Sequence, residues 1–189
     1  MSFVEVTGVI RMIRKSFAVT TLSLCGLFAA SASLAQNAST MYAGVAYAQV
    51  DTDEVDFDDK PAALVGIVGW PLNDYFAVES RFGTGIQNGT FAYLGARGEY
   101  EITSYYGGFV RGTIPAGDGF NIYGILGYGK ANQDANIAGF AASGSESGVA
   151  FGAGAELAFG QSQQHSFAVE WTQYVEDTSA IGVVYRIKF

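Results

Sequence analysis

The end of the chain alternates between two kinds of side chain. Every odd position from Ile181 to Phe189 carries a large apolar residue, whereas the even positions include Gly182, Arg186 and Lys188. A repeat of two places successive side chains on opposite faces of a β-strand. Because two cations and a glycine fill an apolar core poorly, the pattern predicts an apolar face that meets lipid and a charged face that lines a polar interior.

Three further segments divide their side chains in the same way, with apolar residues at alternate positions and small, polar or charged residues between them. The opposed sets are Phe76, Val78 and Phe82 against Glu79 and Arg81; Phe167, Val169 and Trp171 against Glu170 and Thr172; and Val149, Phe151, Ala153, Ala155, Leu157 and Phe159 against Gly152, Gly154 and Glu156. All four segments therefore predict the same orientation, with the apolar face toward lipid and the polar face toward the interior.

Eight segments of the chain have the composition of such strands. They are residues 41–50, 61–70, 74–84, 99–114, 119–130, 146–159, 165–175 and 179–189. All are longer than the strands of about five or six residues that soluble proteins typically contain, and they reach the roughly nine to eleven residues that a tilted membrane strand needs. The first, second and fifth segments are too mixed in composition to predict which face is which.

The connections between these segments alternate in length. Tight turns are predicted at 71–73, 115–118 and 160–164, longer segments at 51–60, 85–98 and 131–145, and a shorter one at 176–178. This asymmetry is typical of an outer-membrane barrel whose two termini lie in the periplasm. The sequence therefore predicts an all-β fold, an eight-stranded antiparallel up-and-down transmembrane β-barrel.

The N-terminal region has the features of a secretory signal peptide. Basic residues at positions 11–15 precede an apolar run, residues 16–34, and small residues lead to Ala35. We predict a signal peptide over residues 1–35 and a barrel domain over residues 36–189. The alternative is a membrane anchor helix, since the apolar run is just long enough to span a bilayer.

Two further expectations concern this leader. Met12 is a candidate for the true start, because a leader beginning there is compact and its basic residues come at once. Cys25, the only cysteine, falls within the leader, so the mature chain would have no thiol for a disulfide, a zinc site or catalysis. Removing residues 1–35 leaves a net charge of about −10, which makes nucleic acid a poor partner.

Longer stretches of the chain resemble a known family. They are "YYGGFVRGTIPAGDGFNIYGILGYG" (105–129), "VEWTQYVED" (169–177) and the terminal "VYRIKF". Together they resemble the eight-stranded outer-membrane β-barrels that include the OmpA transmembrane domain and the OmpX and Ail types. The resemblance implies a place in the bacterial outer membrane among lipid and lipopolysaccharide, and an extracellular ligand held by loops. It also implies that Tyr185, Ile187 and Phe189 form a signal for the barrel-assembly machinery.

Charged residues are expected in the interior of the barrel, which is only wide enough for side chains to fill. The predicted set has four acids and four bases: Glu79, Arg81, Glu101, Arg111, Glu156, Glu170, Arg186 and Lys188. Counting from the loops places Arg81 opposite Glu101 and Glu170 opposite Arg186, with Arg186 and Lys188 between Glu156 and Glu170. Such a set either satisfies buried polar groups and closes the lumen, or forms a gated, proton-conducting core.

Other candidate sites are less specific. Six carboxylates in the predicted first external loop could hold Ca²⁺ or Mg²⁺, or simply be solvated: Asp51, Asp53, Glu54, Asp56, Asp58 and Asp59. Residues 131–145, with Ile137 and Phe140, could contact a partner or pack on the rim. The only histidine, His165, follows a short turn at the predicted periplasmic rim, away from serines 143, 145 and 147, so we predict no catalytic residue, no cofactor and no bound metal.

Seven aromatic residues are expected to form a girdle at the periplasmic interface: Trp70, Phe76, Phe159, Phe167, Trp171, Tyr185 and Phe189. On these grounds we predict a non-enzymatic outer-membrane barrel with a structural or adhesin-like surface role and an interior closed by charged residues. Two alternatives stay open, a narrow channel for ions or small solutes and a soluble periplasmic barrel that binds a ligand at its centre.

Overall fold

The computed structural model describes residues 40–52, 57–93, 96–137, 140–175 and 178–189, and most of this backbone is in β-strands. The strands are β1 (Tyr42–Thr52), β2 (Phe57–Asp59), β3 (Ala62–Pro71), β4 (Phe76–Gln87), β5 (Gly89–Tyr93), β6 (Ala96–Pro115), β7 (Phe120–Ile137), β8 (Phe140–Phe159), β9 (His165–Val175) and β10 (Thr178–Lys188). Among the residues described, no helix is long and apolar enough to cross a membrane. The predicted signal peptide, residues 1–35, lies outside the described residues.

Eight of these strands form a closed ring. Antiparallel pairing joins them in the order β1, β3, β4, β6, β7, β8, β9 and β10, and β10 pairs with β1 from Tyr42↔Lys188 to Thr52↔Thr178. The short strands β2 and β5 pair with each other, and β5 also pairs with β6 at the rim. The predicted eight-stranded up-and-down barrel is therefore confirmed.

Three short turns, the start of β1 and the end of β10 lie at one end of the barrel, here named the short-turn end. In the turn before β4, the Asn73 side-chain oxygen accepts hydrogen bonds of 2.9 Å from the backbone N–H groups of Tyr75 and Phe76. Gly119 and Gly160 adopt positive φ angles of 71° and 85° in the other two turns, a conformation in which a Cβ is disfavoured. These residues explain why the connections at this end are tight.

The outer surface of the barrel is apolar. The facing predicted for four strands is confirmed, because Phe82, Val169 and Ile181 are more than half exposed while Glu79 and Glu170 are buried. The strands with mixed composition follow the same rule and expose Tyr47, Leu64, Val68, Trp70, Ile122, Leu126 and Tyr128. An apolar exterior around a charged interior contradicts the alternative of a soluble barrel with a ligand at its centre.

Several predicted loops are strands in the structure. Segments 85–98 and 131–145 are instead largely paired, since β6 begins at Ala96 and the β7–β8 ladder continues to Ile137↔Phe140. The prediction was wrong because regular alternation of apolar and polar residues is the sequence signal for such a strand, and the many glycine, small and polar residues of these segments interrupt it. Pairing with neighbouring strands makes these segments strands, although single residues such as Phe91 are buried on one face.

We name the paired continuation of β6, β7 and β8 the projecting sheet, consisting of residues 98–103, 131–137 and 140–148. It lies at the end opposite the short turns, here named the long-hairpin end. β9 pairs with β8 only from Phe151 to Phe159, so residues 140–150 of β8 have no ladder partner on that side within the described chain. This stretch of about eleven residues corresponds to roughly 35 Å of strand.

Candidate functional site in the barrel lumen

Two charged residues of β4 face the lumen because they are two positions apart on one strand. Glu79 is fully buried and Arg81 is almost so. The Arg81 guanidinium donates to Glu79 Oε2 from Nε at 2.9 Å and from Nη2 at 2.6 Å. Its Nη1 and Nη2 atoms also donate to Glu170 Oε1 and Oε2 at 2.5 and 3.0 Å. One arginine thus holds two carboxylates from two strands.

A second part of the cluster is built around Glu156 on β8. Arg186 Nη1 donates to Glu156 Oε2 at 3.0 Å, and Arg111 Nη2 lies 3.0 Å from the same oxygen as an ion pair without hydrogen-bond alignment. Arg186 also reaches Glu170 at 3.4 Å and Glu79 at 3.7 Å, so it connects the two parts. The cluster contains three buried acids and three buried arginines, which balance in formal charge.

Tyrosines complete the cluster and were not predicted. The Tyr42 hydroxyl donates to Glu79 Oε1 at 2.7 Å, and the Tyr123 hydroxyl donates to Glu170 Oε2 at 2.9 Å. The Arg111 guanidinium lies 4.1 Å from the centroid of the Tyr123 ring, within the range of a cation–π contact. Both tyrosines are on strands whose facing the sequence left open, and they could have been found only by extending the inward parity from neighbouring strands.

Two predicted interior charges do not lie in the cluster. Lys188 is exposed at the end of β10, where the barrel opens at the short-turn end. Glu101 is also exposed, because the β6–β7 register shifts between Ile102 and Ser104. A bulge adds one residue to a strand and exchanges its inward and outward positions beyond that point. The prediction for these two residues was therefore wrong.

Neither of the two predicted cross-strand pairs is directly opposite in the ladder, but the predicted contact of Arg186 with Glu170 is present. Arg81 lies opposite Gly107, not Glu101, so that pair was wrong. Glu170 lies opposite Gly182 in the ladder, yet the Arg186 side chain reaches it at 3.4 Å. Arg186 does lie between Glu156 and Glu170, as expected, while Lys188 takes no part.

The remaining candidate residues lie apart from this cluster. His165 Nδ1 is 2.7 Å from the Tyr185 hydroxyl at the short-turn end, whereas Ser143 lies in the projecting sheet at the other end of β8. In the acidic segment, Asp53, Glu54 and Asp56 lie outside the described residues. Of the others, Asp51 forms an ion pair with Lys60, and Asp59 accepts a 3.2 Å hydrogen bond from Thr90. No cluster of three or more potential metal-ligating side chains occurs in the described ranges.

The expected aromatic girdle is present at the short-turn end with one exception. Phe159, Phe167 and Tyr185 contact one another there, with ring centroids 5.5 and 5.2 Å apart. Trp171 lies six positions along β9 from His165, or about 20 Å of strand. It packs against Phe151 with centroids 5.8 Å apart, so its assignment to that girdle was wrong. The side chains of Ile137 and Phe140 lie outside what the structure describes.

A closed antiparallel barrel with an apolar exterior and a charged lumen defines a transmembrane β-barrel protein of the bacterial outer membrane. The chain belongs to the family described as outer membrane protein beta-barrel domain, whose model matches residues 20–186. A search of curated proteins finds no significant match. The family places the protein in the bacterial outer membrane.

Solved structures share this fold at low sequence identity. One is Ail, the attachment invasion locus protein of Yersinia pestis, in complex with the heparin analogue sucrose octasulfate. It is 17% identical with a TM-score of 0.52, over 79% of this chain and 95% of that chain. Another is the N-terminal β-barrel domain of Pseudomonas aeruginosa OprF, 12% identical with a TM-score of 0.53, over 78% and 97% of the two chains. These similarities bear on the fold alone.

Proposed function

We propose that this protein is a non-enzymatic component of the outer-membrane surface, with a structural or adhesin-like role exerted through the projecting sheet. The observation that carries the proposal is the open edge of β8, where, among the described residues, the ladder with β9 ends at Phe151 and β8 continues back to Phe140. An open edge offers a row of backbone donors and acceptors to an added strand. The edge is rich in alanine, serine and glycine, which present little steric obstacle.

The charge of the projecting sheet limits the kind of partner. Glu99, Glu101 and Asp134 are exposed on it, and the predicted mature chain is strongly acidic overall. A polyanion of the kind bound to Ail in its solved structure would be repelled by this surface. The partner we propose is therefore an extended protein segment that is neutral or cationic.

A shortened hairpin tests the surface role. Asn132 pairs with Ser145, and Gln133 pairs with Gly144. Removing residues 134–143 and changing Gln133 to Asn leaves a two-residue Asn-Gly turn of the type that closes hairpins. Whole cells bearing the full chain are expected to bind an extracellular protein that cells bearing the shortened chain do not bind. Equal binding by both, with both proteins folded, would reject a role for residues 134–143 of this sheet.

We further propose that the charge cluster closes the lumen. The support is geometric, because Arg81 contacts Glu170 across the barrel and six buried charged side chains form one connected set of ion pairs. In planar bilayers the purified protein is expected to show no steady conductance in moderate salt. The second candidate function, a narrow channel, is favoured by the cavities above the cluster and requires reproducible unitary currents instead.

The non-enzymatic part of the proposal is supported by the separation of the reactive side chains. His165 is held at the short-turn end beside Tyr185, and the serines of the projecting sheet lie at the opposite end of β8. A histidine must lie within hydrogen-bond reach of the group it activates. Hydrolysis of a fluorogenic ester panel and of labelled lipid A by the folded protein is expected to equal the rate without protein.

The orientation and the membrane partners are proposed on the same basis. We place the short turns and both termini in the periplasm, since long extracellular and short periplasmic connections are usual in this class. Tyr185, Ile187 and Phe189 then offer alternate apolar side chains to the barrel-assembly machinery. The acidic residues near Asp51 would face lipopolysaccharide, with a divalent cation as bridge. Protease added to whole cells is expected to cut the projecting sheet and spare a tag placed after Phe189.

A further inference from the structure

A cavity of about 50 Å³ lies in the lumen between the charge cluster and the long-hairpin end. This volume is several times the roughly 10–15 Å³ that one water molecule requires. The walls come from seven strands, and small side chains of β1 and β3, including Ala48 and Ala63, face the larger Ile102 and Tyr105 of β6. Because protein interiors are normally filled to crystal-like density, a void of this size calls for an occupant.

The cavity is mainly apolar. Val50 and Val65 line it together with Ala48, Ala63 and Ile102, and all five side chains are buried. Water gains little in such surroundings, since a buried water is held by two to four polar partners. A molecule with a compact hydrocarbon body fits this wall better than water does.

One polar group in this wall lacks a partner. Tyr105 is 7% exposed, and its hydroxyl has no hydrogen-bond partner in the described structure. Its ring is packed edge-on against Tyr174, with centroids 5.0 Å apart, which limits its reorientation. A buried donor without an acceptor is unfavourable, so the occupant should supply an acceptor.

The cavity has a closed floor. A second, smaller cavity of about 10 Å³ shares Ala48 and Tyr174 with it and ends at Arg81 and Glu170. That volume holds about one water molecule. Beyond it lie the ion pairs of the cluster, so a molecule that enters from the long-hairpin end is retained and not passed on.

We propose that this cavity is a binding site for a small amphipathic molecule, with a hydrocarbon body of a few carbons and one carbonyl or ether oxygen that accepts a hydrogen bond from Tyr105. The site goes beyond the surface role, since it lies inside the barrel. Its wall includes Ile102 and Glu146 of the projecting sheet, but the proposed ligand does not pair with the β8 edge. Apolar contact with Ala63 and Ile102 provides affinity, and the hydroxyl of Tyr105 distinguishes the oxygenated molecule from its hydrocarbon counterpart.

Two probes of equal shape test the proposal, 2-butanone and 2-methyl-1-butene, in which a CH₂ group replaces the carbonyl oxygen. The full-length barrel, with labelled methyl groups, is titrated in lipid nanodiscs and followed by NMR. Ala63 and Ile102 report the cavity, whereas Val169 and Val183 face lipid and report partitioning into the bilayer. We expect saturable shifts at Ala63 and Ile102 with 2-butanone, and weaker affinity for the hydrocarbon.

Tyr105→Phe is expected to weaken 2-butanone binding about fivefold, the effect of one net hydrogen bond, and to leave hydrocarbon binding unchanged. Tyr128→Phe is the matched control, because Tyr128 is 58% exposed on the outer surface. Saturable 2-butanone binding with no effect of Tyr105→Phe would overturn the proposal, as would the absence of saturable shifts with either probe.

Heat-modifiable gel mobility shows whether Tyr105→Phe is folded. If it is not, a second variant tests the same site. Ala63→Leu fills the cavity and is expected to abolish binding of both probes. Ala153→Leu adds the same volume on the lipid-facing side of β8 and is expected to bind as the unchanged protein does. Binding that survives Ala63→Leu would place the probes elsewhere and reject the site.

Discussion

Arg81 and Glu170 are joined across the barrel by two parallel ion-paired hydrogen bonds, at 2.5 and 3.0 Å. Their strands, β4 and β9, are four strands apart in either direction around the ring, so the contact spans the lumen between opposite walls. The planar fork of arginine matches a carboxylate in this bidentate geometry. The pair therefore links two walls that share no backbone hydrogen bond.

Arg81→Met is expected to lower the free energy of unfolding by about 3–5 kcal/mol, because Glu79 and Glu170 would stay buried without their main cation. Urea unfolding in lipid vesicles, followed by tryptophan fluorescence, measures the loss. Lys188→Met is the matched control, since Lys188 is exposed at the rim, and it should change stability by less than about 0.5 kcal/mol. Equal effects of the two substitutions would contradict the assignment.

Arg186→Met tests the link between the two parts of the cluster. Arg186 lies within 4 Å of Glu79, Glu156 and Glu170, so its removal also costs about 3–5 kcal/mol in the same assay. Adding Glu156→Gln to this variant should recover part of the loss, because one of the uncompensated charges is removed. Stability that is unaffected by Arg186→Met would show that the cluster does not hold the barrel together.

Gly154→Ala should displace Tyr123 from Glu170. A Cβ on Gly154 would lie 2.5 Å from the Cζ and hydroxyl of Tyr123, the residue opposite it on β7. Overpacking of this kind costs about 1–3 kcal/mol of unfolding free energy. Gly108→Ala on β6 is the control, since nothing lies within 4 Å of its Cβ, and it should change stability by less than about 0.5 kcal/mol. A neutral Gly154→Ala would mean that the Tyr123 ring is not pressed against this glycine.

The free-energy cost of a charge on the lipid-facing surface is expected to depend on its depth in the bilayer. Val169 is 55% exposed near the middle of the apolar belt, whereas Ile187 lies near the end of β10. Val169→Arg should cost about 2–4 kcal/mol in lipid vesicles and Ile187→Arg about 0–1 kcal/mol. Reversible unfolding in vesicles measures both. A larger cost at Ile187 than at Val169 would place the bilayer elsewhere on the barrel.

The fold could be predicted from the sequence because the same alternation that buries Glu79 and Glu170 exposes Phe82 and Val169. Where one face of a strand meets lipid and the other a charged lumen, the alternate positions of that strand differ in polarity, and this difference predicts which side chains point inward. Tyr42 and Tyr123 escaped prediction because a tyrosine suits either face. Its ring is apolar and its hydroxyl is polar, so only the neighbouring strands decide its direction.

The projecting sheet could not be predicted, for a different physical reason. Residues 131–137 and 140–148 are mostly small or polar, so positions that face the lumen, such as Ala131 and Gln133, do not stand out in composition from exposed ones such as Asp134. What makes them strands is pairing with their neighbours, which a single segment does not reveal. The bulge between Ile102 and Ser104 was likewise invisible, because the residues around it have no feature that distinguishes an extra residue from a regular one.

Glu101→Lys tests that bulge directly. Glu101 lies opposite Asp134 on the exposed face of the projecting sheet, and two like charges opposite each other destabilise a strand pair. A lysine would convert the repulsion into attraction and should raise the free energy of unfolding by about 0.2–1 kcal/mol. Glu99→Lys, opposite the amide Asn136, should have a smaller effect. If Glu101 instead faced the lumen, the same lysine would be buried among the apolar residues near Ile102, and urea unfolding would show a loss of several kcal/mol.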